Sequence, residues 1–149
     1  MSDPLSATAA GDRPAILTRD RVVPFSAAGH VEVARALVAH PAVASILEIY
    51  AALDANRPIA PLHPRLAPAE LERQQTIVDA ATFTDDEALV IFTSGSTGAA
   101  RGIVHTRTSI LAAARASEHH LTWQPDDRWL LCLPLAHSGG LSIVVRCLT

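Results

Sequence analysis

Between Thr93 and Gly102 the chain reads Thr-Ser-Gly-Ser-Thr-Gly-Ala-Ala-Arg-Gly. A loop that grips a polyphosphate needs glycines, so that backbone N–H groups can turn toward the anion with no Cβ in the way. It also needs hydroxyls to donate hydrogen bonds and a cation to offset the charge. Gly95, Gly98 and Gly102 meet the first need, Thr93, Ser94, Ser96 and Thr97 the second, and Arg101 the third. The plain alternative for so short a Ser/Gly/Thr stretch is a solvated turn. Two better-known loops are excluded by spacing. Gly95 and Gly98 do not begin G-x-x-x-x-G-K-[ST], and the G-x-S-x-G of a nucleophile elbow is missing.

What weighs against a mere turn is the element in front of the loop. Ala88–Thr93 is an apolar, β-rich run, which would give the loop a rigid base. After Arg101-Gly102 come Ile103-Val104 and a predicted helix from about Thr108 to His120. Gln124 to Asp127 reads as a turn, and Trp129–Leu133 as a second buried strand ended by Pro134 and followed by Gly139-Gly140. Upstream, residues 1–14 have the composition of a flexible N-terminus. Ala15–Thr18 and Val22–Phe25 suit a small hairpin. From His30 to Leu53 the apolar spacing predicts two helices divided by Pro41. Ile59 and Leu62, alternating with prolines, predict a short edge strand. Pro68 suits the first turn of a helix over Ala69 to about Asp79, with Glu70 and Glu72 near its positive end. Strands alternating with helices predict an α/β sheet.

Composition narrows the function classes. The 149 residues are 49% hydrophobic and 18% charged, enough for one core and too apolar for extended disorder. A net charge of -3 leaves no footprint for nucleic acid or an anionic membrane. The sequence has no signal-peptide core and no run long enough to span a bilayer, so a soluble, cytoplasmic protein is expected. Cys132 and Cys147 lack metal spacing and read as two buried, reduced thiols. His119 and His120 point apart on their helix, and His30, His40, His63 and His105 show no ligand spacing. All read as solvated or capping side chains, and no metal site is predicted.

The whole string, strand then T-S-G-S-T-G then a cation and glycine, resembles the phosphate-binding signature of the adenylate-forming superfamily of acyl-CoA synthetases and AMP-dependent ligases. That signature reads TSG(S/T)TG-x-P-K-G. Thr93 to Gly98 and Gly102 match it; Ala100 stands at the proline and Arg101 at the lysine. Arginine keeps the charge and can hold phosphate oxygens bidentately, but it is bulkier. Downstream, Asp127 to His137 resembles the superfamily's second core segment, a strand ending in P-L-aromatic-H, with Ala136 at the aromatic position and Gly140 matched. Upstream, Ile59 to Leu71 resembles a V-P-L-N-P-R-L-T-P-A-E-L segment, and Val38 to Ser45 looks compressed. The stretch from His137 to Arg146 is most similar to the o-succinylbenzoate–CoA ligases of menaquinone biosynthesis.

The resemblance implies a two-step reaction. A carboxylic acid is activated with ATP and Mg²⁺ as an acyl-adenylate, and the acyl group then passes to the thiol of coenzyme A. It assigns Thr93–Gly98, Arg101 and Gly102 to the polyphosphate, His137 to orienting the acid, and Gly139, Gly140 and Arg146 to the substrate. Arg146 would hold a second carboxylate, or is simply a surface arginine on a helix. The superfamily's later aromatic-G-x-T-E glutamate for Mg²⁺, its ribose-binding aspartate and its C-terminal lysine have no counterparts. All twelve basic residues here are arginine. Residues 15–149 are therefore expected to be a partial N-terminal domain, inactive as a ligase by itself, with the rest supplied in a separate chain or a longer product. A non-catalytic nucleotide-binding remnant is the alternative.

Overall fold

The computed structural model describes residues 5–93, 99–124 and 126–149. The architecture is α/β, as expected, and its centre is a four-strand succession. β3 (Ala36–Val38) runs parallel to β4 (Ala60–Leu62). β4 reaches β5 (Glu87–Thr93) through a single parallel bridge, Ile59 to Leu89. β5 pairs antiparallel with β6 (Arg101–Thr106). In front of this sheet α1 (Ala7–Ala10) precedes a small hairpin, β1 (Pro14–Leu17) with β2 (Val22–Pro24), and one 3-10 turn over Phe25–His30.

Side chains alternate across β5 with the period of two that a pleated strand imposes. Leu89 and Ile91 face the main core, beneath α2 (Val43–Asp54), α4 (Arg107–Leu121) and α5 (Ser138–Leu148). Val90 and Phe92 face a smaller cluster with Leu62 and Val78, covered by α3 (Pro68–Ala80). Helices on both faces cover β4 and the first half of β5, which read as apolar runs for that reason, whereas β6 stays largely exposed. α5 is tied into the main core by Leu141, Val144, Val145 and Leu148, and by the Tyr50 hydroxyl donating to the Val144 carbonyl.

Several expectations are corrected here. The stretch from His30 to Leu53 is not two helices: only α2, after Pro41, is helical, and Ala36–Val38 is a strand. A strand of three residues, with only Leu37 buried, is too short to display a period, so Val33 and Leu37 mimicked a helical one. β4 is not an edge strand, since all three of its residues are buried between neighbours. Its Pro61 is tolerated because N–H groups alternate sides along a strand. Ile59 donates to Ala88 and Ala60 to Arg35, so the N–H that Pro61 lacks belongs on the β5 side, where the ladder stops. Trp129–Leu133 has no regular structure and joins no described strand; its Cys132 N–H donates to the Leu130 carbonyl at 3.2 Å, and Leu130 is 79% exposed. Cys132 is exposed and Cys147 half-buried, both as free thiols, not the pair of buried ones expected. Residues 5–14 carry α1, and Leu5 and Ala7 are buried in the main core, unlike a flexible end. No helix among the described residues is long and apolar enough to cross a membrane.

Candidate active site

The chemistry-bearing loop joins β5 to β6. Its stem closes where Thr93 pairs with Arg101, the Thr93 hydroxyl facing the Arg101 carbonyl at 3.4 Å. Ser94, Gly95, Ser96, Thr97 and Gly98 lie outside the described residues. Thr93 and Arg101 are both exposed, and the Arg101 guanidinium has no partner among the described residues. A free cation and a barely engaged hydroxyl at the same stem are what an anion requires. Gly102 serves packing: a Cβ there would lie 3.0 Å from Val90 Cγ1 and 3.4 Å from the Phe92 ring.

The second arm of the stem is held from below by α3. Arg73 donates from Nη2 to the Ala100 carbonyl at 2.9 Å while its fork clasps Glu70, Nε to Oε2 and Nη2 to Oε1, both at 2.7 Å. The nearly buried Gln74 adds a 2.7 Å hydrogen bond to Glu70 Oε1. These hydrogen bonds, Arg73 first and Gln74 second, hold the Glu70 carboxyl down to about 2. Pro68 at the first turn of α3 starts the helix and puts Glu70 in its acid-favouring first turn.

Across from this stem stands His137, the N-cap residue of α5. Its exposed ring lies 5.5 Å from that of His63, centroid to centroid. His63 Nδ1 accepts the Arg65 N–H at 3.1 Å, which leaves the neutral ring's proton on Nε2. Burial pushes the His63 imidazole below its ordinary range, with the charges of Arg65 and His137 acting the same way. The two rings, Thr93, Ala100, Phe92 and Glu70 line one cavity of about 470 Å³. His63 was read from the sequence as solvated or capping; the signal it carried was its place in the Pro-Leu-His-Pro-Arg turn just ahead of α3.

Gly139 and Gly140 line neither this cavity nor the next. A Cβ on Gly140 would stand 2.3 Å from the Pro134 carbonyl oxygen and 2.7 Å from that of Leu133. The first turn of α5 thus rests on the backbone that delivers His137, whose own N–H donates to Pro134 at 3.1 Å. Arg146 is not gathered with His137 either. It borders a second cavity, about 270 Å³, walled by Ile91, Ile110, Leu141 and Val145, with Ser138 and His105 among its polar groups. Because Ser138 follows His137 directly, the N-terminus of α5 stands between the two cavities. Arg146 is fixed by Nε to the Ser142 carbonyl, Nη2 to Ser142 Oγ and Nη1 to Ser117 Oγ, each 3.0 Å. Its guanidinium carbon stacks 4.5 Å from the Trp129 ring centroid.

The sequence profile of the AMP-binding enzyme family matches residues 75–149, half of the chain, and so covers the loop, His137 and α5. The chain belongs to the AMP-binding enzyme family. Among AMP-binding relatives, a 2-succinylbenzoate–CoA ligase of Bacillus cytotoxicus is 38% identical over 74 residues, which are 49% of this chain and 15% of that protein. A malonate–CoA ligase of Arabidopsis thaliana is 44% identical over 59 residues, 40% of this chain and 10% of that one. In fold, 99% of the chain superposes on the o-succinylbenzoate coenzyme A synthetase of Bacillus subtilis, whose structure was solved with AMP. The TM-score is 0.73 at 21% identity, and the match covers 53% of that AMP-binding protein. The chain thus spans about half the length of its solved relative.

Proposed function

We propose that this chain provides the polyphosphate loop and acid pocket of a ligase that activates a carboxylic acid with ATP and transfers the acyl group to coenzyme A. In the first step a carboxylate oxygen bonds to the α-phosphorus of ATP, and the bond to the leaving pyrophosphate breaks. In the second, a thiol sulfur adds to the acyl carbon, AMP leaves with the C–O bond electrons, and the thiol proton goes to solvent or base. Here the chain's contribution is placement and charge. Thr93–Gly98, Arg101 and Gly102 form the polyphosphate loop, with Arg73 steadying its second arm through Ala100. His137, at the positive end of α5, would orient the reacting carboxylate.

The observation that carries this reading is the single cavity joining the loop stem, Thr93 and Ala100, to His137, next to a pocket that ends on Arg146. That second pocket would take the body of the acid, with Arg146 on a second carboxylate. The ligases for 2-succinylbenzoate and malonate both act on diacids, which supports a dicarboxylic substrate. Among the described residues no group of three or more His, Cys, Asp or Glu side chains is placed to hold a metal. The resemblance puts the Mg²⁺-binding glutamate in a later segment, so at this loop Mg²⁺ would arrive on the polyphosphate, where it offsets charge. A cytoplasmic setting suits the two free thiols.

The test is calorimetric titration of 2-succinylbenzoate into the chain, its Arg146→Ala variant and its His137→Ala variant. Weakened binding in Arg146→Ala, with the fold intact by circular dichroism, supports the acid pocket. Equal binding by all three proteins removes it.

A further inference from the structure

Arg146 is a cation beside an apolar cavity, and among the described residues no carboxylate pairs with it. Hydroxyls, a carbonyl and an aromatic face hold it in place of a counter-ion. Three of its five N–H donors are spent on Ser142 and Ser117, which leaves one on each terminal nitrogen. Such an arrangement fixes the fork and leaves its charge uncancelled, as a receptor for an incoming carboxylate must be. The indole of Trp129 completes the cradle. It belongs to the irregular run after Asp127 that joins no described strand, so no ladder holds it. What braces it is Trp123, meeting it edge-on with centroids 5.6 Å apart and planes at 90°.

Given the acid pocket proposed above, we infer that Trp129, braced by Trp123, is a positioning residue that sets the Arg146 guanidinium for the second, non-reacting carboxylate of a diacid. The preference for diacids over monoacids then depends on a side chain that need not touch the substrate. An indole face stabilises the cation by quadrupole attraction without neutralising it. A carboxylate in the same place would pair with Arg146 and shut the ligand out.

The experiment compares nucleotide-free binding of two probes by calorimetry: 2-succinylbenzoate, and 3-benzoylpropionate, the same skeleton without the ring carboxylate. Trp129→Leu, which keeps apolar volume without the π-face, is expected to lose about tenfold affinity for the diacid and less than about twofold for the monoacid, the scale of one partly desolvated cation–π contact. Trp129→Phe should restore most of the diacid preference. Equal losses for both acids, or no loss, would overturn the positioning role while leaving the pocket standing. An unsubstituted chain that binds neither acid would refute the pocket itself and the inference with it. Should Trp129→Leu fail to fold, Trp123→Leu loosens the brace and must show the same selective loss of diacid binding; an unchanged preference there overturns the inference.

Discussion

Alanine at position 140 would build a Cβ 2.3 Å from the Pro134 carbonyl oxygen, whereas real Cβ atoms essentially never come within 3.0 Å of another atom. The next nearest atom, the Leu133 carbonyl oxygen at 2.7 Å, is also backbone, so no rotamer change relieves the contact. Overpacking of this kind costs roughly 1–3 kcal/mol. Replacing glycine within a helix returns about 1 kcal/mol of propensity. Because two carbonyls are struck, and Pro134 also accepts the His137 N–H, the cost should sit at the upper end and win. Gly140→Ala is then destabilised by about 1–2 kcal/mol, a fall in Tm of about 3–6 °C for a chain this long. Gly139→Ala is the internal control. Its Cβ meets only Leu133 Cδ1, at 2.8 Å, on a side chain 48% exposed and free to turn away. That variant should be neutral or stabilised by up to about 0.5 kcal/mol. Thermal and urea unfolding followed by circular dichroism measures both. Equal effects at the two positions, or a stabilised Gly140→Ala, would refute the claim that α5 rests on the backbone bearing His137.

Arg73→Met should return the Glu70 carboxyl from about 2 toward the ordinary carboxylate range, read by carbon NMR titration. A carboxyl whose folded pKa is depressed supports the fold above the unfolded pKa of about 4.5 and loses that support as pH falls toward 2, so the acid limb of stability should shrink in Arg73→Met. The same variant should weaken ATP–Mg²⁺ binding by about three- to tenfold in a titration, through the lost Ala100 hydrogen bond. His63 should titrate below 6.5 in proton–carbon spectra, and its pKa should rise in His137→Gln as one neighbouring charge goes. Since the folded form resists protonation there, this site costs stability as pH falls below the unfolded value of about 6.5.

The parts of the fold that were legible in the sequence are those whose local chemistry is unambiguous. Ala88 to Thr93 is apolar and β-rich and stops at a Ser/Gly run, and β5 spans Glu87–Thr93. Pro68 with Glu70 announces α3, which begins at Pro68. The hairpin of β1 and β2 was readable for the same reason. β3 was hidden because it is three residues long, with only Leu37 buried, too short to show a period. β6 was hidden because Arg101-Gly102 reads as the end of a loop, although Gly102 is a strand residue whose missing side chain admits Phe92 and Val90. The run Trp129–Leu133 misled in the opposite direction, since apolar composition states a demand for burial without naming a partner. At the site, His137, Thr93 and the loop could be named from their motifs. His63, the Arg73 tether on Ala100 and the Trp129 stack on Arg146 are contacts between residues 17 to 74 positions apart, and spacing along the chain cannot display them.

A loop between β5 and β6 that holds a nucleotide's polyphosphate must take up ATP–Mg²⁺ in an equilibrium titration of the purified chain. Gly95→Val is the comparison, with circular dichroism to confirm that both proteins are folded. Saturable binding by the chain, abolished in a folded Gly95→Val, is the predicted result. A folded chain that binds no ATP–Mg²⁺, or binds it equally well with valine at position 95, would contradict the claim.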